Sequence, residues 1–385
     1  MIITSAKFVI SLFKIFILKV FNYKIVFCNC SRIGGYYDLI WHKRTNQPNK
    51  FYFILFAPNQ KIANKYFNKI IEEEFNIKYE NYNYLIYRII QKLKLSSQGI
   101  LNIVPDNYSK LISIYSNKNN KNYNYQKNLL IDNYIYKSQK IKFNNLNLLD
   151  RFQLKKNNYI AFHARDNNYL NIIYPNKIWS QHDFRDSDIN NYANAIKSLS
   201  LGEKFRGIRT GKFVKKTIND HVITDYSNMD TYSEEGELFL IYNSKLFLCS
   251  DTGASIFAEY IKKPIVYVNW CFPLRVHRWS SNSLFIFKKI FSIKQKRFLS
   301  IKESFHLNPY DSNFNSYYKV YENTAEEIRD ALTEQILRLD GKWKNSQEDS
   351  LLQEKFWKLF GDYDYSREST FIGTSFLKKN KFLLE

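Results

Sequence analysis

Cysteine is scarce in this sequence: Cys28, Cys30, Cys249 and Cys271 are four residues among 385. Four unevenly spread cysteines are too few for a disulfide framework. Cys28 and Cys30 alternate along a strand-like run, which points both to one face, but no second Cys or His pair at metal-ligand spacing accompanies them. The sequence therefore predicts neither a disulfide scaffold nor a zinc site, and it favours a reducing, cytoplasmic location.

Long uncharged apolar runs are missing as well. Residues 1–23 are mostly apolar, but Lys7, Lys14 and Lys19 interrupt them. A spanning helix needs roughly 20 largely uncharged residues, and a signal peptide needs an unbroken apolar core before a small-residue cleavage site. We therefore expect no transmembrane anchor. Either an amphipathic helix lying on a membrane surface or a helix covering the first sheet fits the pattern.

Acidic residues are few relative to basic ones, and the net charge is +21. Residues 1–150 hold 22 Lys and Arg against 8 Asp and Glu, a net +14, whereas the rest of the chain carries +7. A basic first half suits an anionic membrane surface, a charged lipid carrier or an acidic polysaccharide. Zinc-finger spacing, RNP-like strands and basic-helix patterns are missing, so we expect no nucleic-acid partner.

The sequence has ample apolar material, 45% of its residues, for two domains with cores of their own. Strand and helix patterns alternate, which predicts an α/β fold with an open, mostly parallel sheet. In the first half, strands are expected at 24–29, 51–57 and 100–105, with helices at 62–75 and 84–95. A segment rich in Asn, Lys and Tyr at 117–147 is expected to be a linker.

In the second half, each predicted strand ends in polar residues. Strands at 159–162, 205–208, 222–224 and 246–249 lead into short loops. Because the carboxyl ends of parallel strands meet at one edge of a sheet, these loops should converge on one crevice. The loop residues are His163, Arg165 and Asp166, then Arg209, Thr210 and Gly211, then Asp225, and finally Ser250, Asp251, Thr252 and Gly253.

The strongest single signal is the segment 246–269, in which a strand meets SDTG and a helix follows at once. The first N–H groups of a helix lack partners within it and suit a diphosphate. Gly253 allows close backbone approach, and Ser250 and Thr252 offer hydroxyls. Ala254 belongs to the helix start that would meet the charge of the diphosphate. Asp251 would cap the helix or bind a sugar hydroxyl. An ordinary N-cap followed by a turn glycine would look the same.

Arg165 is placed to clamp phosphate groups and to neutralise a departing diphosphate. His163 would orient the sugar or simply pack at the end of its strand, and Asp166 would hold Arg165. The segment 182–188 contains Asp183 and two further aspartates, as a metal-binding loop would. Arg185 lies between these carboxylates, so the pattern favours a site without a metal ion. The loop after Arg209 is a third basic strand end, although a solvated turn is the alternative.

These segments resemble a group of uncharacterised bacterial glycosyltransferases associated with polysaccharide assembly. More distantly, the chain is similar to the fucosyltransferase superfamily, through a strand-end His-x-Arg at His163 and Arg165. The segment from SDTG to PIVYVN also resembles heptosyltransferases and nucleotide-sugar 2-epimerases, which have the GT-B fold. The first resemblance spans most of the chain, and the segments that carry it are Ser31-Arg32-Ile33-Gly34, FHARDNNYL (162–170), HDFRDSDINNY (182–192), RTGK (209–212), SDTG (250–253) and FIGTSFLKKN (371–380).

The resemblance implies a GT-B protein with two Rossmann-like domains facing a central cleft. It implies that the acceptor binds the N-terminal domain, beside Arg32, Gly34 and Asp38, and the nucleotide sugar the C-terminal one. A guanosine diphosphate donor is suggested by the distant fucosyltransferase likeness alone. The expected divisions are a basic apolar helix (1–22), the acceptor domain (23–150), the donor domain (151–345) and a helical tail (346–385).

The expected activity is transfer of a sugar from a nucleotide diphosphate to a glycan or lipid-linked acceptor, with inversion and without metal or cofactor. Arg165, His163, Asp166 and Asp183 are the candidate catalytic residues. Asp38, Asp166 and Asp183 all remain open as general base. A nucleotide-sugar epimerase of the same fold is one alternative. A nonenzymatic protein that binds polyanions or membranes is another, although it would not need the polar strand ends.

Overall fold

In the computed structural model, the described residues fall into two compact units. Those up to residue 93, together with Ile141, form the first, and those from residue 142 onward form the second. The predicted strand at 100–105, most of the predicted linker at 117–147 and Asp38 lie outside the described residues. The described ranges are 2–36, 39–40, 51–93, 141–144, 147–199, 205–271, 273, 282–305, 307–359 and 370–385.

The first unit contains a two-stranded parallel sheet in which Lys24 lies level with Phe51. Ile15, Phe27, Phe56 and Ile90 are part of one apolar core between this sheet and the helices. Among the described residues, no helix is long and apolar enough to cross a membrane. The elements are α1 (Ile2–Val20), β1 (Lys24–Asn29), β2 (Phe51–Phe56), α2 (Lys65–Phe75) and α3 (Asn83–Lys92).

The second unit is built on a sheet of seven strands, all of which pair in parallel. The α/β fold predicted from the sequence is therefore confirmed. Three of these strands, β8, β12 and the short β5, lie at or near the edges. The strands are β3 (Tyr159–His163), β4 (Arg206–Arg209), β5 (Ile223–Asp225), β6 (Leu246–Cys249), β7 (Ile265–Trp270), β8 (Ser283–Phe287) and β12 (Thr370–Ile372).

A second, smaller sheet follows β8 in the chain. It has three antiparallel strands in the order β10-β9-β11. The remaining strands and helices of this unit are α4 (Leu148–Arg151), α5 (Asn168–Ile173), α6 (Ile189–Lys197), α7 (Glu234–Asn243), α8 (Ala254–Tyr260), β9 (Lys289–Ser292), β10 (Arg297–Phe298), α9 (Ile301–Ser304), α10 (Phe314–Tyr317), β11 (Tyr318–Tyr321), α11 (Ala325–Leu339), α12 (Gln347–Lys358) and α13 (Thr374–Lys379).

Helices cover both faces of the large sheet. The hydroxyl of Tyr159 donates to the carbonyl of Leu240 in α7, at 2.6 Å. Gly207 of β4 lies level with Ile160, the next residue of β3. A Cβ atom on Gly207 would point toward Ile196 of α6. Because successive strand residues point to opposite faces, α7 and α6 lie on opposite sides of the sheet. Strands buried on both faces explain why β6 and β7 read as continuous apolar runs.

Residues 346–385, which were expected to form a helical tail, contain a strand as well as helices. Helix α12 begins with a capping box between Ser346 and Asp349. After it, β12 pairs with β8 at the edge of the sheet. Gln353 in α12 donates to the carbonyl of Ile372 and accepts from its N–H. This end of the chain is therefore part of the second unit's sheet and core.

Two buried asparagines connect β7 to the start of α11. The N–H of Asn269 donates to Asn323 Oδ1 at 2.6 Å, and the N–H of Asn323 donates to Asn269 Oδ1 at 2.7 Å. Asn323 Nδ2 also donates to the carbonyl of Phe287 at 2.9 Å. One side chain therefore satisfies backbone groups at the ends of two neighbouring strands.

Replacing Asn323 by Ala should lower the free energy of unfolding by about 2–4 kcal/mol, because it leaves the Asn269 N–H and the Phe287 carbonyl buried without partners. Urea denaturation measures the change. Asn190→Ala, at an exposed position of α6, is the control and should change the free energy of unfolding by less than about 0.5 kcal/mol. Equal effects of the two substitutions would contradict this role for Asn323.

Candidate functional site

The order of strands in the large sheet creates a crevice at the carboxyl ends of β3 and β6. From β3 the chain adds β4 and β5 on one side, and then returns to add β6, β7 and β8 on the other. Open α/β sheets bind ligands at such a reversal point, because the loops of the two central strands turn in opposite directions there. The two loops with the strongest sequence signals, after β3 and after β6, are the ones that lie at this point.

A hydrogen bond joins the two loops directly. The backbone N–H of Arg165 donates to the hydroxyl of Ser250 at 2.9 Å, and both residues are buried. Ser250 therefore uses its hydroxyl to hold the β3 loop. Helix α8 begins at Ala254 with Gly253 as its N-cap and without a side-chain cap. Whether this loop is an ordinary helix start or a phosphate site stays a prediction.

Arg165 lies at this junction with 7% of its surface exposed. One guanidinium nitrogen, Nη1, forms an ion pair with Asp186 and donates to the carbonyl of His182 at 3.1 Å. The other, Nη2, is buried and has no hydrogen-bond partner within the part of the chain that the structure describes. Burial and the neighbouring Arg185 lower the pKa of Arg165 to about 10. An anion at this position would accept a hydrogen bond from Nη2 and would also stabilise the charged form of the guanidinium.

Arg185 reaches the second loop from the short 3₁₀ helix Ser180–Arg185. Its Nε lies 2.9 Å from Asp251 Oδ2, and its Nη2 donates to the backbone carbonyl of Asp251 at 2.8 Å. The carboxylate of Asp251 therefore holds an arginine in this loop. The prediction that Asp251 and Thr252 bind the donor stays a prediction. Both side chains are half-buried.

Arg209 and Asp225, at the ends of β4 and β5, form a separate buried pair. Arg209 is 1% exposed and donates to Asp225 Oδ2 at 3.2 Å and to the carbonyl of Lys216. The same carboxylate oxygen accepts from the N–H of Ile218 and from Asn228 Nδ2. These contacts hold the loop between β4 and β5. The Nε of Arg209 and the Oδ1 of Asp225 are buried without partners among the described residues, and contact of this pair with a donor stays a prediction.

His163 is held beside the loop that follows β4. Its Nδ1 lies 2.9 Å from the carbonyl of Thr210, which can only accept a hydrogen bond. The proton is therefore on Nδ1, and the neutral ring keeps a lone pair on Nε2. Burial lowers the pKa of His163 below its usual value, which favours this neutral form near pH 7. A histidine in this state can accept a proton or a sugar hydroxyl at Nε2.

Gly211 permits the close approach of this loop to the histidine. Its φ is +125°, and a Cβ atom there would lie 2.4 Å from Nδ1 of His163. Only glycine fits such a backbone conformation without strain, and no side chain fits the space. Thr210 is fully buried and donates from its N–H to the carbonyl of Phe162. Thr210 and Gly211 therefore position His163 through their backbone.

The aspartates proposed as general bases lie in different surroundings. Asp166 accepts from the N–H of Asn168 at 3.0 Å and from the N–H of Lys215 at 2.9 Å. Both of its carboxylate oxygens are therefore hydrogen-bonded to backbone groups. It does not pair with Arg165, whose carboxylate partner is Asp186. Asp183 is exposed, with one 3.5 Å contact to Asn167. Of the two, Asp183 is the more exposed and the less engaged with backbone.

Glu237 belongs to this region although the sequence did not single it out. It is buried on α7, accepts from the hydroxyl of Tyr232 at 2.6 Å, and also accepts from the N–H of Gly211. Burial raises its pKa to about 7. Lys212, beside Gly211, pairs with Glu234 on the same helix. The run EEGEL gives no sign of which glutamate faces inward, so only the packing of α7 reveals it.

In the first unit, the residues expected on the acceptor side follow β1. Arg32, just before the short 3₁₀ helix Ile33–Tyr36, is half-buried, and Gly34, within that helix, is exposed. Gly35 is the position with no room for a side chain, since a Cβ there would lie 1.9 Å from the carbonyl oxygen of Asn29. The thiols of Cys28 and Cys30 are buried, and burial raises the pKa of Cys30 to about 12. Contact of Arg32 and Gly34 with an acceptor stays a prediction.

Comparisons of the chain with models of protein families, with curated proteins and with solved structures found no match. In the ranges that the structure describes, no three His, Cys, Asp or Glu side chains cluster as metal ligands would. The function must therefore be argued from the strand-end residues themselves.

Replacing Gly211 by Ala should remove activity and lower the free energy of unfolding by about 2 kcal/mol or more, because strain at a positive φ adds to the clash with His163. Gly341→Ala is the matched control: its φ is +68°, but nothing lies within 4 Å of the added Cβ. The control should cost about 1 kcal/mol. Thermal denaturation of both variants measures the difference, and equal losses would argue against the contact with the histidine.

Glu237→Gln should stabilise the protein at high pH. The folded carboxyl keeps its proton up to about pH 7, against 4.5 as its ordinary value. As pH rises between these values the folded state loses stability, and above pH 7 the full cost, about 3 kcal/mol, is present. The advantage of the Gln variant in urea denaturation should therefore grow from about pH 5 to about pH 8. The exposed Glu354→Gln serves as control, and a flat difference for Glu237→Gln would contradict the raised pKa.

Proposed function

We propose that this chain is a glycosyltransferase of the GT-B type that moves a sugar from a nucleotide diphosphate to a glycan or lipid-linked acceptor. The observation that carries the proposal is the buried Nη2 of Arg165, which has no partner among the described residues at the reversal point of the sheet. A guanidinium with a free donor in that place fits a phosphate oxygen. The resemblance to polysaccharide-assembly glycosyltransferases adds the sugar and the two-domain GT-B arrangement.

The charges around Arg165 support an anionic ligand. Arg165 and Arg185 are close enough that Arg185 lowers the pKa of Arg165. Asp186 and Asp251 each pair with one of them, so the protein already offsets part of the repulsion. A diphosphate would add negative charge where two guanidinium groups meet, and its affinity would grow as the departing diphosphate gains charge. The proposal places this task on the arginines and not on a metal ion.

His163 is the general base that the contacts favour. Its Nδ1 proton is committed to the carbonyl of Thr210, and Nε2 is left to accept a proton. In the proposed step, an acceptor hydroxyl gives its proton to Nε2 while its oxygen attacks the anomeric carbon. The bond from that carbon to the diphosphate oxygen breaks on the opposite side, which inverts the configuration. Asp183 is the alternative base, since Asp166 is engaged with backbone.

The double variant Arg165→Gln with Asp186→Asn tests the anion site. It removes both charges of a buried pair together, so neither is left unpaired. Thermal stabilisation by GDP, UDP, ADP and CMP, with EDTA or with Mg²⁺, is the measurement. The wild-type protein should be stabilised by one nucleotide equally in both conditions. The double variant should bind that nucleotide at least about 100-fold more weakly.

Arg329→Gln is the matched control, because Arg329 pairs with Asp330 on α11, outside the strand-end loops. It should leave nucleotide binding unchanged. If the double variant bound the nucleotide as the wild type does, Arg165 would be only structural. If no nucleotide stabilised the wild-type protein, the transferase proposal itself would fail.

Product analysis separates transfer from the rival activity of the same fold. Incubation with the selected nucleotide sugar and no acceptor should give slow hydrolysis at most. Conversion of the donor sugar to its epimer would assign the chain to the epimerases instead.

A further inference from the structure

Helix α1 has an outer face that is apolar and exposed. Six side chains on it are between 40% and 84% exposed, with Ile17 the least and Val20 the most. With 100° of rotation per residue, all six fall within an arc of about 120° and so share one side of the helix. The outer face of α1 consists of Val9, Ile10, Phe13, Phe16, Ile17 and Val20.

The opposite side of α1 packs against the core of the first unit. Ile15 is buried in the core of the first unit, and Phe8, Leu12 and Leu18 pack against that core. The hydroxyl of Ser11 also lies 3.3 Å from that of Tyr82, beside α3. The helix is therefore fixed to its unit by one face, and the outer face is not needed for that packing. A run of six exposed apolar residues on one helix face is typical of an interaction site.

Lysines border the outer face on both sides. With 100° of rotation per residue, Lys7 and Lys14 fall along one edge and Lys19 along the other. Lys14 Nζ lies 4.8 Å from the centre of the Tyr52 ring, which keeps this ammonium group at the boundary between α1 and β2. The sequence of α1 contains no acidic residue. An apolar centre with a positive rim matches the boundary between acyl chains and anionic headgroups.

We propose that the outer face of α1 docks on an anionic membrane surface, with its apolar side chains at the level of the acyl chains and its lysines among the headgroups. A second copy of this chain is a poorer occupant. Two such faces packed together would bring their lysine rims into contact, and α1 offers no carboxylate to pair with them. The proposal stands independently of any activity in the second unit.

Flotation of the full chain with lipid vesicles tests the docking. The wild-type protein should float with phosphatidylcholine vesicles that contain phosphatidylglycerol, and much less with phosphatidylcholine alone. Phe13→Glu with Val20→Glu should weaken binding to the anionic vesicles at least about tenfold, because two charges enter the apolar face. Leu351→Glu, at a residue of α12 that is 52% exposed, is the control and should leave binding unchanged.

A dye on Phe13→Cys reports where the face lies. The four native cysteines are buried, so an environment-sensitive maleimide dye should label the added thiol selectively. Its emission should shift to the blue when anionic vesicles are added, whereas the same dye on Leu351→Cys should not respond.

Three results would overturn the proposal. The first is that the wild-type protein does not associate with anionic vesicles. The second is a dye that already reports an apolar environment before vesicles are added, which would mean that protein covers the face. The third is a wild-type dimer in sedimentation that Phe13→Glu dissociates, which would make the outer face a contact between copies.

Discussion

The hydrogen bond from the N–H of Arg165 to the hydroxyl of Ser250 is the contact on which the arrangement of the candidate site depends. It crosses the point at which the strand order of the sheet reverses, and it fixes the loop after β3 against the loop after β6. Arg185 then joins the same two regions a second time, through the carboxylate and carbonyl of Asp251. Because both loops are fixed, the Nη2 of Arg165 stays at a defined position between them, where it has no partner among the described residues.

Three arginines near the strand ends are each paired with an aspartate, but the pairs differ in their place in the fold. Arg209 binds Asp225 and a backbone carbonyl and is almost fully enclosed, which suits a loop brace. Arg185 contacts the carboxylate and the backbone carbonyl of Asp251. Arg165 pairs through Nη1 and leaves Nη2 without a partner among the described residues, and Arg209 likewise leaves its Nε without one. A buried pair contributes little net stability. What distinguishes Arg165 from Arg209 is its place at the reversal of the strand order, where a ligand could accept from the nitrogen that has no partner.

The sequence was sufficient for the α/β class and for the residues that end β3, β4, β5 and β6, because buried parallel strands give long apolar runs and their polar ends stand out. It did not predict β12, which is three residues long and depends on α12 and β8 for its pairing. The partners of the charged residues were also out of reach. Asp186 rather than Asp166 pairs with Arg165, and the difference is set by the path of the chain between them.

Helix α1 shows why a one-dimensional pattern leaves alternatives open. Its apolar residues are too many for a single face, so the sequence fits both a helix on a membrane and a helix on a sheet. In the folded unit these are two sides of one element: Ile15 is buried against the sheet, and Phe13, two residues earlier, is 66% exposed. The side that packs is selected by the positions of Phe27, Phe56 and Ile90, which only the fold brings together. The same packing leaves the other side, with its lysine border, available for a surface outside the protein.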